Sequence, residues 1–572
     1  MRRTHLGIVG LIVGALLAAC GGGSGGGGTD GGNTPPPDRS EVVVLAANDL
    51  GMHCMDREFS VFSILPPFNV VNAQVVGHTA DGRPLLLDQT DIDVRYDAVA
   101  DGSGSSNASS VGKTDFWAYA ESLFGMALNP GEGLTGRYMP QDAPRQGAQP
   151  MDYFLDDEWF SAEGIPITPL DDARNVNPYP LMRISAHARE DGSRLGYLDV
   201  VLPVATETEC RTCHVSGKVG ASREDVVWST HADTEVQSKE NILRLHDALE
   251  STTLAASTPV LCAQCHYSRA LDLNGAGPNA QQAGRPAFSG AMHNYHGKLT
   301  AADQPLLPDN IASCYECHPG RETQCQRGAM QTGGMDCIDC HGGMLAVGAE
   351  YPLQAGGSID GAHDGQPRRP WFDLPRCQSC HTGDAVTYLD SGAGLAPDDA
   401  YPFRLRQAYR SGDPSASPLL AANDRFAENS GTLYRFSRGH GGIFCQGCHG
   451  STHAEWPIAD PAANDNAAAV RLQGYAGKII ECSVCHAPGS LPLTTDGPHG
   501  LHNVNDARWV DENHGDFFKR DPNGCRACHG TDLLGTPLAQ VAANRSFKVE
   551  DATVAMAKDE RVRCNRCHGM PD

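Results

Sequence analysis

The chain has 572 residues and a formal net charge of −25. That balance excludes a nucleic-acid binder, which needs a basic face, and an electrostatic grip on anionic lipid. With 40% hydrophobic and 6% aromatic residues, Gly 64 and Pro 37, the chain is loop-rich and short of ordinary core. Something other than side chains is expected to fill its interior.

The first element is an export signal. Arg2 and Arg3 precede an apolar run of 14 residues, 6–19. That is shorter than the ~20 residues needed to span a bilayer and suits a signal h-region. The run ends in Leu17-Ala18-Ala19-Cys20, which resembles the lipobox of bacterial lipoproteins. The resemblance implies that residues 1–20 are a signal peptide and that Cys20 is lipidated. With Gly21 following, it also implies an outer-membrane lipoprotein, periplasmic or facing the cell surface. An ordinary signal peptide beside an incidental cysteine is the alternative. Residues 21–40, GGGSGGGGTDGGNTPPPDRS, form a flexible tether.

Residues 41–205 carry strand-like runs: EVVVLAA, NVVNAQVVGH, LLLDQTDIDVRY, LMRISAHA and YLDVVLPV. Turn sequences such as DGRP and DGSG separate them, so a small β-sandwich or barrel is expected. His53 and Cys54 lie here in NDLGMHC, a tight cluster of unusual residues.

Residues 206–572 hold one motif nine times. The C-x-x-C-H copies are Cys210-Cys213-His214, Cys262-Cys265-His266, Cys314-Cys317-His318, Cys337-Cys340-His341, Cys377-Cys380-His381, Cys445-Cys448-His449, Cys482-Cys485-His486, Cys525-Cys528-His529 and Cys564-Cys567-His568. They use 18 of 21 cysteines, where composition alone gives roughly 0.03 matches. Redox C-x-x-C pairs do not need the trailing histidine, and zinc sites group ligands in fours. The pattern resembles the multihaem c-type cytochromes. The resemblance implies nine covalent haems c, each held by two thioethers and by the motif histidine as proximal ligand. Motif spacings run from 23 to 68 residues with no fixed period, so no solenoid is expected. So little chain per haem cannot bury much of itself. A haem-packed domain of coil and short helices is therefore expected, and the fold class is α+β.

The remaining histidines decide between a relay and an enzyme. Distal ligands in electron-transfer haems are commonly His or Met. Ten candidates are singled out: His53, His231, His246, His293, His296, His440, His453, His499, His502 and His514. His293 and His296 sit three apart and could serve two haems, as could His499 and His502. His246 lies in NILRLHD, a helical pattern. His78, His187 and His363 read as ordinary loop or strand histidines.

The function expected is an exported cytochrome relaying electrons by outer-sphere transfer through mostly bis-histidine haems. Its partners would be basic redox proteins, other cytochromes, or extracellular metal ions and minerals, with the membrane reached through the lipid anchor. A multihaem oxidoreductase with one open haem is the rival, and a haem-storage module the third reading. The absence of any C-x-x-C-K weighs against the rival, because nitrite-reducing relatives often carry a lysine-ligated haem. Cys54 and Cys325 are left over and could pair, stay free, or, for Cys54, ligate iron. The loop around Asp272, LDLNGAGPN, could take calcium but lacks the EF-hand pattern.

Overall fold

In the computed structural model, residues 42–350, 368–369, 371–381, 425–426, 432–510, 514–549 and 551–571 are described. The signal, the tether, Cys20 and His363 lie outside them. The described residues are α+β, with the long strands before residue 205 and mostly coil, 3-10 turns and short helices after it.

The strand-like runs form β1 (Val43–Asn48), β2 (Asn69–His78), β3 (Pro84–Leu87), β4 (Ile92–Ala98), β5 (Gln149–Pro150), β6 (Asp152–Phe154), β7 (Trp159–Ile165), β8 (Leu181–Ala188) and β9 (Arg194–Val201). One antiparallel sheet runs β1-β2-β7-β6, with β3 also paired to β2. The other runs β9-β8-β4-β5. Val71, Ala73 and Val75 of β2 meet Val94, Ile184 and Leu198 in one shared core, so the architecture is a sandwich. Helix α1 (Phe116–Phe124) adds Phe116, Ala120 and Leu123 to that core.

Strands β1, β2 and β7 of the first sheet are buried on both faces, which explains why EVVVLAA is apolar without alternation. Leu45, Ala47, Val76 and Trp159 turn away from the sandwich core and pack on Phe444, at the sixth motif. Phe444 N–H donates to the Gln74 side chain (2.9 Å), and Gln74 donates to the Gly442 carbonyl (3.1 Å). The sandwich core also takes in Trp456, Ala468 and Ala469 from late in the sequence. The core is therefore not confined to residues 41–205.

Polar clasps tie further stretches of the chain together. Glu207 accepts the backbone N–H groups of Arg321, Glu322 and Thr323. Lys239, on helix α2 (Thr234–Glu250), donates to the Phe62 carbonyl. Asp233 caps α2 by accepting the Glu235 N–H at 2.8 Å. Gly51, at φ +88°, passes so close to Thr452 that a Cβ there would stand 2.0 Å from its carbonyl oxygen.

Candidate functional site

Each C-x-x-C-H segment turns once. In six motifs the turn is closed by the histidine N–H donating to the first cysteine's carbonyl, from 2.7 Å at His381 to 3.5 Å at His568. His341, His449 and His529 end short helices that run through their motifs. Residues i, i+3 and i+4 share one face of a helical turn. The spacing therefore sets two thiols and an imidazole side by side. Burial raises most motif thiols, Cys317 to about 11 and Cys448 to about 12.

Seven motif histidines face a second imidazole. Ring-centre separations are 6.4 Å for His214–His296, 6.4 Å for His266–His246, 6.0 Å for His318–His293, 6.0 Å for His341–His453, 6.0 Å for His449–His499, 6.1 Å for His486–His440 and 5.5 Å for His568–His514. His529 and His502 lie within electrostatic reach, and His502 stacks on Trp509 at 4.3 Å. Helix α3 (Phe288–Gly297) carries both His293 and His296, which meet the third and first motifs. His499 faces the sixth motif and His502 the eighth.

The imidazoles are oriented through Nδ1. His266 Nδ1 lies 2.9 Å from the Pro286 carbonyl, His293 2.9 Å from Ser289, His296 2.7 Å from Met292, His453 3.1 Å from Leu50 and His499 3.1 Å from Arg425. His514 and His529 do the same with Trp509 and Val562. A carbonyl only accepts, so Nδ1 carries the hydrogen and Nε2 keeps its lone pair. Gly220 packs on the His214 ring, where a Cβ would come within 2.9 Å of it.

The third to ninth motifs line one continuous, largely apolar cavity of about 3560 Å³. Ordinary ligand pockets span roughly 300–1,000 Å³. Part-exposed rings here show their surface to the cavity. Burial lowers His341 and His449 to about 3, and His318, His453 and His502 to about 4. These rings stay neutral near neutrality, as a metal ligand must be.

The residues fit a metal porphyrin. Two imidazole nitrogens about 2 Å to either side of one metal place ring centres about 6 Å apart. Six of the seven separations, 6.0–6.4 Å, match that figure. His568 and His514 sit closer, with Nε2 atoms 3.3 Å apart against the roughly 4 Å that a shared metal needs, so that pair would have to open to take one. Among the described residues no group of three His, Cys, Asp or Glu side chains is arranged to hold a bare metal ion.

Other expected residues fall elsewhere. His231 is exposed, and its Nδ1 receives the Asp233 N–H at 3.1 Å, with no motif histidine against it. His53 sits on the cavity wall with Nε2 buried and unpartnered, and no motif histidine stacks on it. His78 bonds the Cys485 carbonyl and His187 uses both nitrogens locally. Asp272 spends its carboxylate on Tyr267, Ala276 and Gly277. Cys54 and Cys325 line the cavity together, and each is raised by burial.

Two residues of the site escaped the sequence reading. Glu455 is buried, with a carboxyl raised to about 7 by desolvation. Lys478 presents its side chain to the cavity and is lowered by burial. The one available signal was a charge set into an apolar stretch beside a motif, as in YAGKIIECSVCH. The chain matches no protein-family profile, no curated protein and no solved structure.

Proposed function

We propose that this chain is an exported multihaem c-type cytochrome that relays electrons by outer-sphere transfer. The observation that carries the reading is the facing of seven motif histidines by second imidazoles about 6 Å away, five of the seven pairs lining one shared cavity. Haem, when bound, supplies one-electron chemistry at iron. The chain's own residues do the rest. Each C-x-x-C pair offers two thiols on the face that carries its histidine. Carbonyls hold Nδ1–H and leave the Nε2 lone pair free for a metal. Where two imidazoles face each other they would hold the iron between them and leave no place there for a substrate. Apolar walls keep water out and, with histidine on both sides, favour low potentials relative to His/Met ligation.

Cys20 and the apolar run before it support a lipid anchor in the outer membrane. Among the described residues no helix is long and apolar enough to cross a membrane. The charge of −25 favours basic redox partners, metal cations or mineral surfaces. The test is haem quantification by pyridine haemochrome on mature protein, followed by redox titration. Nine haems per chain and a broad low-potential titration are expected. A colourless mature protein overturns the reading.

A further inference from the structure

His246 lies in the closing turns of helix α2, which stops at Ser251. The φ of +55° at Ser251 turns the chain back on itself. That reversal returns Thr252, Leu254 and Ala255 to the end of the helix, where Asp247 collects them. Its carboxylate accepts the Thr252 hydroxyl at 2.6 Å, the Leu254 N–H at 2.6 Å and the Ala255 N–H at 2.9 Å.

The same hydroxyl meets the ring. Where the imidazoles described above rest Nδ1 on main-chain carbonyls, His246 Nδ1 lies 2.9 Å from Thr252 Oγ1. A hydroxyl has one hydrogen to give, and a carboxylate only accepts. Thr252 therefore donates to Asp247 and accepts from His246. Nδ1 carries the hydrogen, Nε2 keeps its lone pair, and the series His246–Thr252–Asp247 ends on a negative charge. Burial pushes the Asp247 carboxyl up, but the donors from Thr252, Ala255 and Leu254 outweigh it and hold the group below the usual carboxylate range. His246 faces His266 of the second motif at 6.4 Å, and His266 Nδ1 is 2.9 Å from the Pro286 carbonyl. Hydrogen bonds in series polarise one another, and an acceptor behind a ligating imidazole raises its basicity. A more basic ligand favours oxidised iron.

We propose that Thr252 and Asp247 tune the second motif to a lower potential by drawing the Nδ1 hydrogen of His246 toward a carboxylate. The inference rests on the haem reading above and assigns two residues that no C-x-x-C-H motif contains. Both are positioning residues, acting on the metal only through His246.

The experiment uses the full holoprotein. Pyridine haemochrome first fixes the haem count, and a figure far below nine defeats the parent reading and the tuning together. With nine haems present, redox titrations of parent and Thr252→Val are compared. One component should move to higher potential, by about tenfold in its reduction equilibrium, or roughly 59 mV for one electron. The others should stay in place. Asp247→Asn, which keeps an acceptor for Thr252 but removes the charge, should move the same component the same way. Thr252→Ser, which keeps the hydroxyl, should restore the parent curve. EPR should show no new high-spin signal in any of these variants, because His246 still holds the metal. Nine haems with unshifted components in Thr252→Val would overturn the tuning and leave the haem reading standing. A shift in Thr252→Val without one in Asp247→Asn would overturn the part given to the carboxylate. A new high-spin signal in Thr252→Val would also overturn the proposal, since the hydroxyl would then merely hold the ring in place.

Discussion

Arg327 grips Asp465 through two parallel hydrogen bonds, 2.8 Å from Nε and 2.7 Å from Nη2, with both side chains buried. The same guanidinium donates to the Gly51 carbonyl at 2.6 Å. Three distant stretches of chain therefore meet at one charge pair. Removing one partner strands the other charge, a loss of about 3–5 kcal/mol. Asp465→Ala is expected to lower the urea midpoint sharply by circular dichroism. The double change Arg327→Met with Asp465→Leu should cost less than Asp465→Ala alone.

On the proposed haem reading, the facing imidazoles would be the ligands. His453→Ala should then convert one haem from low-spin to high-spin in EPR, because His341 would lose its facing ring. His231→Ala should leave the spectrum unchanged. Equal effects of the two changes would contradict the pairing seen here.

Acid should destabilise the protein through its buried histidines. His53 is lowered to about 3 by burial, with Arg435 adding to the effect. The unfolded chain takes up that proton below about 6.5, and the folded chain resists it until near 3. The stabilisation is full above about 6.5 and shrinks as pH falls toward 3. Each such histidine contributes up to about 1.4 kcal/mol per pH unit in that window. Denaturation midpoints measured from pH 7 to 4 should fall steadily, and His53→Phe should reduce the slope.

Phe444 is 1% exposed and packs on Trp159 at 6.1 Å, edge to face. Phe444→Ala should cost about 3–5 kcal/mol. A fragment of residues 41–205 should aggregate, because its first sheet would present Leu45, Ala47 and Val76 to water. A monomeric, cooperatively melting fragment would contradict the shared core.

Cys54 and Cys325 should resist iodoacetamide in the native protein, since burial raises both thiols, Cys325 to about 11. After denaturation without reductant, mass spectrometry of the holoprotein should find two alkylated thiols. No alkylation would mean that they are bridged.

Local spacing was readable and distant pairing was not. C-x-x-C-H fits inside one helical turn, so its three groups converge whatever the rest of the chain does. The pairs His293/His296 and His499/His502 were readable for the same reason. His453 and His341 are 112 positions apart, and only tertiary folding brings them together. His231 looked equal to the others because a cap-like contact with Asp233 leaves no mark in composition. The β runs were recognisable, but what covered their second face was not, since Phe444 lies 368 residues after Val76. Helix α1 was missed because FWAYAESLF is brief, aromatic and without a side-chain cap.

Helix α3 holds its two histidines less than one turn apart on a stiff rod. Thermal sway of the surrounding coil would tilt both rings together, so the spacing of the first and third centres is fixed by helix pitch. On the proposed relay, that rigid ruler would keep the step between the first and third motifs constant while the loops breathe.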